Sequence, residues 1–316
     1  MTPLVSVIMP MRNAEPFVQA ALASVLCERQ VPLEVVVVDD GSSDQSRTKV
    51  AELGDPRIRV IPGAVRGIAA ALNAGFAQAR GGILMRCDAD DLYAPSRIAQ
   101  QTAWLRTNPQ HDAVCGAFGT IDSRGRLVAN LVQRGEQSGE DVDAELRRGV
   151  TRTHLCTFAI RKPALQRAGL FRDYFETAED LDFQLRLGEL CRVRYLPHDT
   201  YFYRLHAGSV THTQRERRRV FFEYSAREFQ AQRATTGADA LMLGRPPEPP
   251  SALDSLASPV SLQIQGMLVG QAWRDLHQGH GVLAVKGAWR ALLTQPRNAS
   301  AWANLAKILA RVARPK

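Results

Sequence analysis

Four short apolar runs punctuate the first 90 residues, and each ends in a polar turn. They are Val5-Ser-Val-Ile-Met9, Leu33-Glu-Val-Val-Val-Val38, Ile58-Arg-Val-Ile61 and Ile83-Leu-Met85. Runs this short, β-branched and nearly uninterrupted predict buried strands. Between the first two, Phe17, Val18, Ala21, Leu22 and Val25 recur at helical spacing, with Pro16 near the start. Between the second and third, Ser42, Ser43 and Asp44 offer N-caps for a helix. Between the third and fourth, Ile68, Ala71, Leu72, Phe76 and Ala79 share one side of a helix opened at Gly67 and stopped by Gly81-Gly82. Strands alternating with helices predict an α/β fold: a mostly parallel sheet covered by helices on both faces.

The pattern loosens after residue 95. A helix opened by Pro95 carries Ile98, Thr102 and Leu105, and Ala113–Phe118 reads as a strand. Residues 120–150 are polar and hold Gly125, Gly135 and Gly139, which suggests a hairpin and a mobile loop. Thr157–Ile160 reads as a strand, Pro163–Gly169 as a helix, and Val193–Leu196 and Thr200–Tyr203 as two strands. From Glu176 a helix carries Glu179, Asp180 and Asp182 in its first turns. Residues 243–251 are proline-rich and read as an extended linker. Beyond it, Val285, Ala288, Leu292 and then Trp302, Leu305, Ala306, Leu309 form helical stripes, loosely resembling one tetratricopeptide-like helix pair without a second copy.

In open α/β sheets, ligands bind beyond the carboxyl ends of the strands. Three polar turns fall there: Pro10-Met-Arg12-Asn13, Asp39-Asp40-Gly41 and Asp88-Ala89-Asp90. They should meet on one sheet edge, and that convergence carries more than any of the three alone. Asp88, Asp90 and Asp91 crowd three carboxylates into four residues. Such crowding suits a divalent cation, Mg²⁺ or Mn²⁺, which takes oxygen ligands and is commonly shared between carboxylates and phosphates. A solvated acidic turn, and helix capping by Asp39 and Asp40, are the plainer alternatives.

Composition bounds the rest. The chain has 316 residues, 45% hydrophobic and 23% charged, enough for a sizeable core. Five scattered cysteines without CxxC spacing argue against a disulfide framework or a zinc site, and fit a reducing cytoplasm. No signal-peptide pattern and no run near the length of a membrane span is expected. The net charge of +8 favours phosphates or an anionic membrane surface. It concentrates at Arg215, Arg217, Arg218 and Arg219, next to an apolar stripe of Phe222, Ala226 and Phe229, and again at Arg311, Arg314 and Lys316. Peripheral contact with the inner face of a membrane follows as an expectation.

Taken together, these segments resemble the family-2 glycosyltransferases with the GT-A fold, over about residues 4–212. The resemblance rests on Val5–Asn13, Val36–Asp44, Arg66-Gly67 with Asn73-Ala-Gly75, Cys87–Asp91 with Pro95-Ser-Arg97, Glu179–Asp182 with Arg186-Leu, and Arg204-Leu-His206 with Ser209-Val-Thr211. It implies a GT-A domain over 1–212, with a nucleotide-binding half (1–110) and an acceptor-binding half (111–212). A basic helical segment (213–242), the linker (243–251) and a C-terminal helical appendage (252–316) would follow. It implies roles as well. Pro10, Arg12, Asn13, Glu15 and Gly41 would border the nucleotide, and Asp39 or Asp40, with Asp40 favoured, would accept from the base. Arg66 and Asn73 would face the base or sugar. Asp88, Ala89 and Asp90 would meet ribose and metal, Asp90 being the favoured ligand and His206 a second candidate. Asp180, or Glu179 if the register is off by one, would be the catalytic general base of an inverting transfer, and His154 and Arg186 would face the acceptor. Partners would be a nucleotide-sugar, most simply a UDP-sugar, and a glycan or lipid-linked acceptor, with no nucleic acid.

The chain departs from the family at Arg12, where an aromatic residue is common. The Gln-x-x-Arg-Trp motif of processive synthases is absent, which favours addition of one sugar. Two other readings compete. A sugar-nucleotide pyrophosphorylase would need a glycine-rich loop after the first strand, where Pro10-Met-Arg-Asn-Ala stands. A basic docking protein would rest on the arginine cluster and the C-terminal helices.

Overall fold

A computed structural model describes residues 4–130, 139–206, 216–250 and 260–313. Arg215, Ser209, Thr211, Ser251, Arg314 and Lys316 therefore lie outside the described residues, as does the middle of the loop expected within 120–150. The described chain divides into two compact units: 4–118, 139–203 and 217–250 form the first, and 119–130, 204–206, 216 and 260–313 the second.

The first unit opens as expected, with β1 (Val5–Met11), α1 (Val18–Leu26), β2 (Leu33–Asp39), α2 (Ser46–Ala51), β3 (Ile58–Pro62), α3 (Ile68–Gln78) and β4 (Ile83–Arg86). β3, β2, β1 and β4 lie side by side, all parallel. Alternation of side chains sorts the strands between two cores. Val5, Val7, Met9, Val35 and Val37 pack with α1 on one face, while Ile8, Val36 and Val38 pack with α3 on the other.

The mostly parallel sheet carries an antiparallel second half. After β5 (Leu92–Tyr93), α4 (Arg97–Thr107) and β6 (Ala113–Asp122), the chain reaches a two-residue strand β8 (Glu140–Asp141), α5 (Asp143–Leu146) and β9 (Ala159–Arg161). β9 runs antiparallel to both β4 and β6. The apolar run at 157–160 splits, because Leu155–Thr157 is a 3-10 turn and only Ala159–Arg161 pairs. α6 (Lys162–Ala168) and α7 (Glu179–Leu190) follow, then β10 (Val193–Leu205) as one 13-residue strand. The two strands expected at Val193–Leu196 and Thr200–Tyr203 are thus one, and Pro197 lies within it, since a proline removes only one donor from a ladder.

α8 (Glu216–Thr236) corrects the membrane-facing use of its stripe. Phe222, Ala226 and Phe229 are all 0% exposed, packed on Phe175, Ala178, Leu181 and Leu185. The proline-rich stretch is held too: Tyr174 Oη donates to the carbonyl of Pro247 at 2.8 Å. None of the five cysteines is in a disulfide; Cys27 is exposed, and Cys87, Cys115, Cys156 and Cys191 are buried.

In the second unit, Gly119–Ile121 at the end of β6 pair with β7 (Leu127–Asn130) as the expected hairpin. Among the described residues, three helices complete it: α9 (Val260–His277), α10 (Gly281–Thr294) and α11 (Ala299–Val312). The expected pair is thus a helical triple, closed by Ala272, Ala284, Ala288, Leu292, Ala301, Leu305 and Ile308. The stripe read on α11 is rotated. Ala301, Leu305 and Ile308 face inward, while Trp302 and Leu309 are exposed. No helix among the described residues is long and apolar enough to cross a membrane.

Candidate active site

The turns after β1 and β2 are laced together. Asn13 N–H donates to Ser42 Oγ (3.1 Å), and Asn13 Oδ1 accepts from Ser43 N–H (2.8 Å). Ala14 N–H donates to Ser46 Oγ (2.8 Å), Glu15 N–H to Asp44 Oδ2 (3.0 Å), and Gln45 N–H to Glu15 Oε2 (3.1 Å). Asn13 takes a left-handed φ of 53° to do this, a conformation asparagine tolerates. The side chains of Asn13 and Glu15, expected beside a nucleotide, are engaged by the neighbouring turn. Arg12 stands exposed.

Asp39 and Asp40 are both buried and both partnered. Asp39 Oδ1 accepts from Ser42 N–H at 3.0 Å, and Arg47 pairs with Oδ2 at 3.3 Å. Asp40 accepts from Val65 N–H (2.7 Å) and Gly67 N–H (3.0 Å), fixing the approach to α3. The fit is tight: a Cβ at Gly63 would lie 2.6 Å from Asp40 Oδ1. Gly41 takes φ +86°, where glycine alone is unstrained. Arg66 pairs with Asp173 at 2.5 Å. Asn73 uses both ends of its amide on Phe171, accepting from N–H at 2.9 Å and donating to the carbonyl at 2.8 Å. It therefore ties α3 to the segment before α7.

The acidic turn after β4 is built around a residue that sequence reasoning missed. Arg86 is 7% exposed, and its guanidinium grips Asp88 with two bonds, Nε to Oδ1 (2.7 Å) and Nη2 to Oδ2 (3.0 Å). Its third nitrogen, Nη1, donates to Glu179 Oε1 at 3.2 Å. The signal was present: an arginine closing an apolar strand must find anions once buried. Cys156, also missed, donates from Sγ to Asp88 Oδ2 at 3.5 Å, and burial pushes its thiol well up, so it stays protonated. Asp91 is the fully buried member of the trio. Tyr201 Oη donates to Asp91 Oδ2 (2.7 Å) and accepts from Asp88 N–H (3.0 Å), while Tyr93 Oη donates to the carbonyl of Arg86 (2.9 Å). Asp90 is half-buried in the turn between them, and Ala89 is buried.

α7 brings the second acidic pair to this turn. It begins at Glu179, after Ala178 in a left-handed conformation (φ 60°), so Glu176 lies outside the helix. Glu179 is 6% exposed. Burial, and then the neighbouring Asp180, push its carboxyl up to about 7, against the opposing pull of Arg86. Asp180 is half-buried and less enclosed. His154 packs edge-on to Phe118 (centroids 4.3 Å) and stacks on Tyr203 (5.9 Å). Although the residue keeps an exposed face, desolvation against its aromatic neighbours lowers its pKa, Asp180 opposes that shift, and the ring is neutral near pH 7.

Arg186 is corrected to a structural cation. It pairs with Asp182 at 3.0 Å and donates to the carbonyls of Ala168 and Leu170, in place of the acceptor contact expected of it. His206 follows β10 and belongs to the second unit, and the segment expected after it lies outside the described residues. Among the described residues, no three His, Cys, Asp or Glu side chains gather as a ready-made metal site. Asp90 still fits Mg²⁺ or Mn²⁺ chemistry, since such an ion asks for one or two carboxylates and draws its other oxygens from phosphates and water.

The chain resembles known proteins along the same lines. The family model for Glycosyl transferase family 2 matches residues 6–175, more than half of the chain. An uncharacterized glycosyltransferase of Bacillus subtilis, EpsJ, is 29% identical over 219 residues, 67% of this chain and 64% of its own. The chain thus spans about two thirds of that relative's length. WfgD of Escherichia coli, a UDP-Glc:alpha-D-GlcNAc-diphosphoundecaprenol beta-1,3-glucosyltransferase, is 36% identical over 106 residues, 33% of this chain and 42% of its own. Among solved structures, S. aureus TarS 1-349 in complex with UDP-GlcNAc superposes with a TM-score of 0.61 at 18% identity, covering 98% of this chain and 88% of that one. The mannosyltransferase PcManGT of Pyrobaculum calidifontis, in complex with GDP-Man and Mn²⁺, gives 0.54 at 21%, covering 98% and 80%. A strand-edge cluster of acids in a mixed α/β sheet, within a family match over half the chain, leads to one conclusion: the protein belongs to glycosyl transferase family 2, and is a glycosyltransferase of the GT-A type.

Proposed function

We propose that this enzyme moves one sugar from a UDP-sugar to a glycan or lipid-linked acceptor with inversion. The observation that carries the reading is that Arg86 bonds both Asp88 and Glu179, which draws together the acidic turn of Asp88 and Asp90 and the helix start of Glu179 and Asp180. Inverting transfer needs anion management on both sides of the anomeric carbon: a leaving diphosphate on one side, an acceptor proton on the other. Asp180, the less enclosed of its pair, takes the acceptor proton as that oxygen attacks. Asp39 and Asp40 present the base end, with Asp40 favoured. Asp90 would hold a divalent cation, which when bound offsets the charge of the departing diphosphate. His154, neutral, lies within the electrostatic reach of Asp180 on the acceptor side.

The donor is argued from the UDP-GlcNAc and UDP-Glc in the names of TarS and WfgD, and the lipid-linked acceptor from the latter's diphosphoundecaprenol. The metal is argued from Asp90 and from PcManGT. Peripheral contact with an anionic membrane rests on charge alone, now that the stripe of α8 is buried. Arg218 pairs with Glu176, and Arg219 lies 3.8 Å from Glu223, so that charge is partly matched.

The test is nucleotide binding. Asp90→Ala should fold and lose Mn²⁺-dependent UDP binding in calorimetry; unchanged affinity in the folded variant rules out Asp90 as the metal residue. A screen of UDP-, GDP- and dTDP-sugars for turnover then selects the donor.

A further inference from the structure

Arg86 carries more than a structural charge. A buried guanidinium with one carboxylate partner would be neutralised; this one divides its nitrogens between two carboxyl groups. Its bidentate face holds Asp88 at 2.7 and 3.0 Å, and its remaining nitrogen holds Glu179 at 3.2 Å. The two partners come from segments 91 residues apart (179 − 88), one at a sheet edge and one at a helix start. Glu179 is the first residue of α7, and the residue before it, Ala178, is buried with φ 60°. A non-glycine residue in that region persists only when its surroundings hold it there. The Arg86–Glu179 bond is one such hold, acting on the turn that carries Asp180. The backbone of Arg86 is fixed in turn by Tyr93 Oη on its carbonyl at 2.9 Å.

We propose that Arg86 is a positioning residue that clamps the donor-side carboxylate Asp88 to the acceptor-side carboxylate Glu179, and so sets where Asp180 stands relative to the sugar. This rests on the reading of the two acidic pairs given above. The three guanidinium nitrogens are spent on Asp88 and Glu179, so the residue acts through the groups it holds. Lysine keeps the charge but not the fork, so it can satisfy one carboxylate at a time. Methionine keeps much of the volume and neither function.

The experiment is a double-mutant cycle of Arg86→Met with Glu179→Gln, with Arg86→Lys beside it. It is read by thermal unfolding, calorimetric affinity for UDP with Mn²⁺, and turnover of UDP-GlcNAc and UDP-Glc. Displacing a catalytic group by about 1 Å costs about 10²-fold in rate. Arg86→Met is therefore expected to lower kcat by about that factor while donor KM changes less than about threefold, and Arg86→Lys should fall between it and wild type. The two substitutions should be non-additive in kcat, because Glu179 is one of the two groups Arg86 holds. Additive effects, a loss confined to KM, or wild-type turnover in Arg86→Met would overturn the proposal. So would failure of both Arg86 variants to fold, which would make the residue a core cation only. If wild type binds UDP–Mn²⁺ but turns over neither donor, coupling in the melting temperatures of the cycle decides the clamp. If wild type binds no UDP–Mn²⁺, the functional reading fails first, and by a separate measurement.

Discussion

Asp180 and Glu179 are neighbours with opposite assignments, and two measurements separate them. Asp180→Asn keeps shape but cannot take a proton. It should lower kcat by about 10²-fold or more, the scale of general-base catalysis, with donor affinity nearly unchanged, since ground-state binding rests on other groups. NMR of the product should show the anomeric configuration inverted; retention would remove Asp180 from the mechanism. Glu179 is expected to show itself in stability. Its carboxyl is raised from 4.5 to about 7, so the folded state binds the proton more tightly than the unfolded chain. That contribution is complete below about pH 4.5 and is lost as the pH rises through 7. Glu179→Gln should remove this dependence, gaining in melting temperature relative to wild type as the pH rises from 4.5 through about 7. Equal pH profiles for the two proteins would contradict the raised carboxyl. Much at this scale was legible: Asp39, Asp40, Asp88, Asp90 and Asp180 stand on the sheet edge and helix start that the pattern marked. Hydrogen-bond direction was not, because nothing local tells Asn73 to turn both amide groups to Phe171, 98 residues away.

Among elements, the nucleotide-side strands and helices were readable because each buried strand is a short apolar run and each covering helix keeps a 3.6-residue period. The antiparallel half was harder, since Ala159–Arg161 is too short for a period to show and Pro197 mimics a strand end. α8 shows how a correct stripe can suggest the wrong neighbour. Periodicity fixes which face of a helix is apolar but not what covers it. Phe229 is 0% exposed among Phe175, Leu181 and Leu185. Phe229→Ala should therefore cost about 3–5 kcal/mol, the usual range for a buried phenylalanine truncated to alanine, in urea denaturation. A loss below about 1 kcal/mol would mean that the site collapses or that α8 is held elsewhere.

For the molecule as a whole, one sequence holds two compact units whose readability differs. The first was marked by its strand ends, where chemistry and pattern coincide. In the second, the triple of α9, α10 and α11 uses alanine for much of its interior, at Ala272, Ala284, Ala288 and Ala301, while Trp302 and Leu309 face out. A scan for large apolar residues follows Trp302 and so picks the wrong face, because close helix packing favours small side chains inside. The cysteines carry a last consequence. One thiol is exposed and four are buried, two of them, Cys87 and Cys156, beside the acidic turn. The enzyme thus holds its own set of chemical stopwatches. A thiol reagent should modify Cys27 at once and the other four only as the fold opens. Protection of Cys156 by UDP and Mn²⁺ beyond that of Cys115 and Cys191, followed by mass spectrometry, would time the opening of the site apart from that of the core.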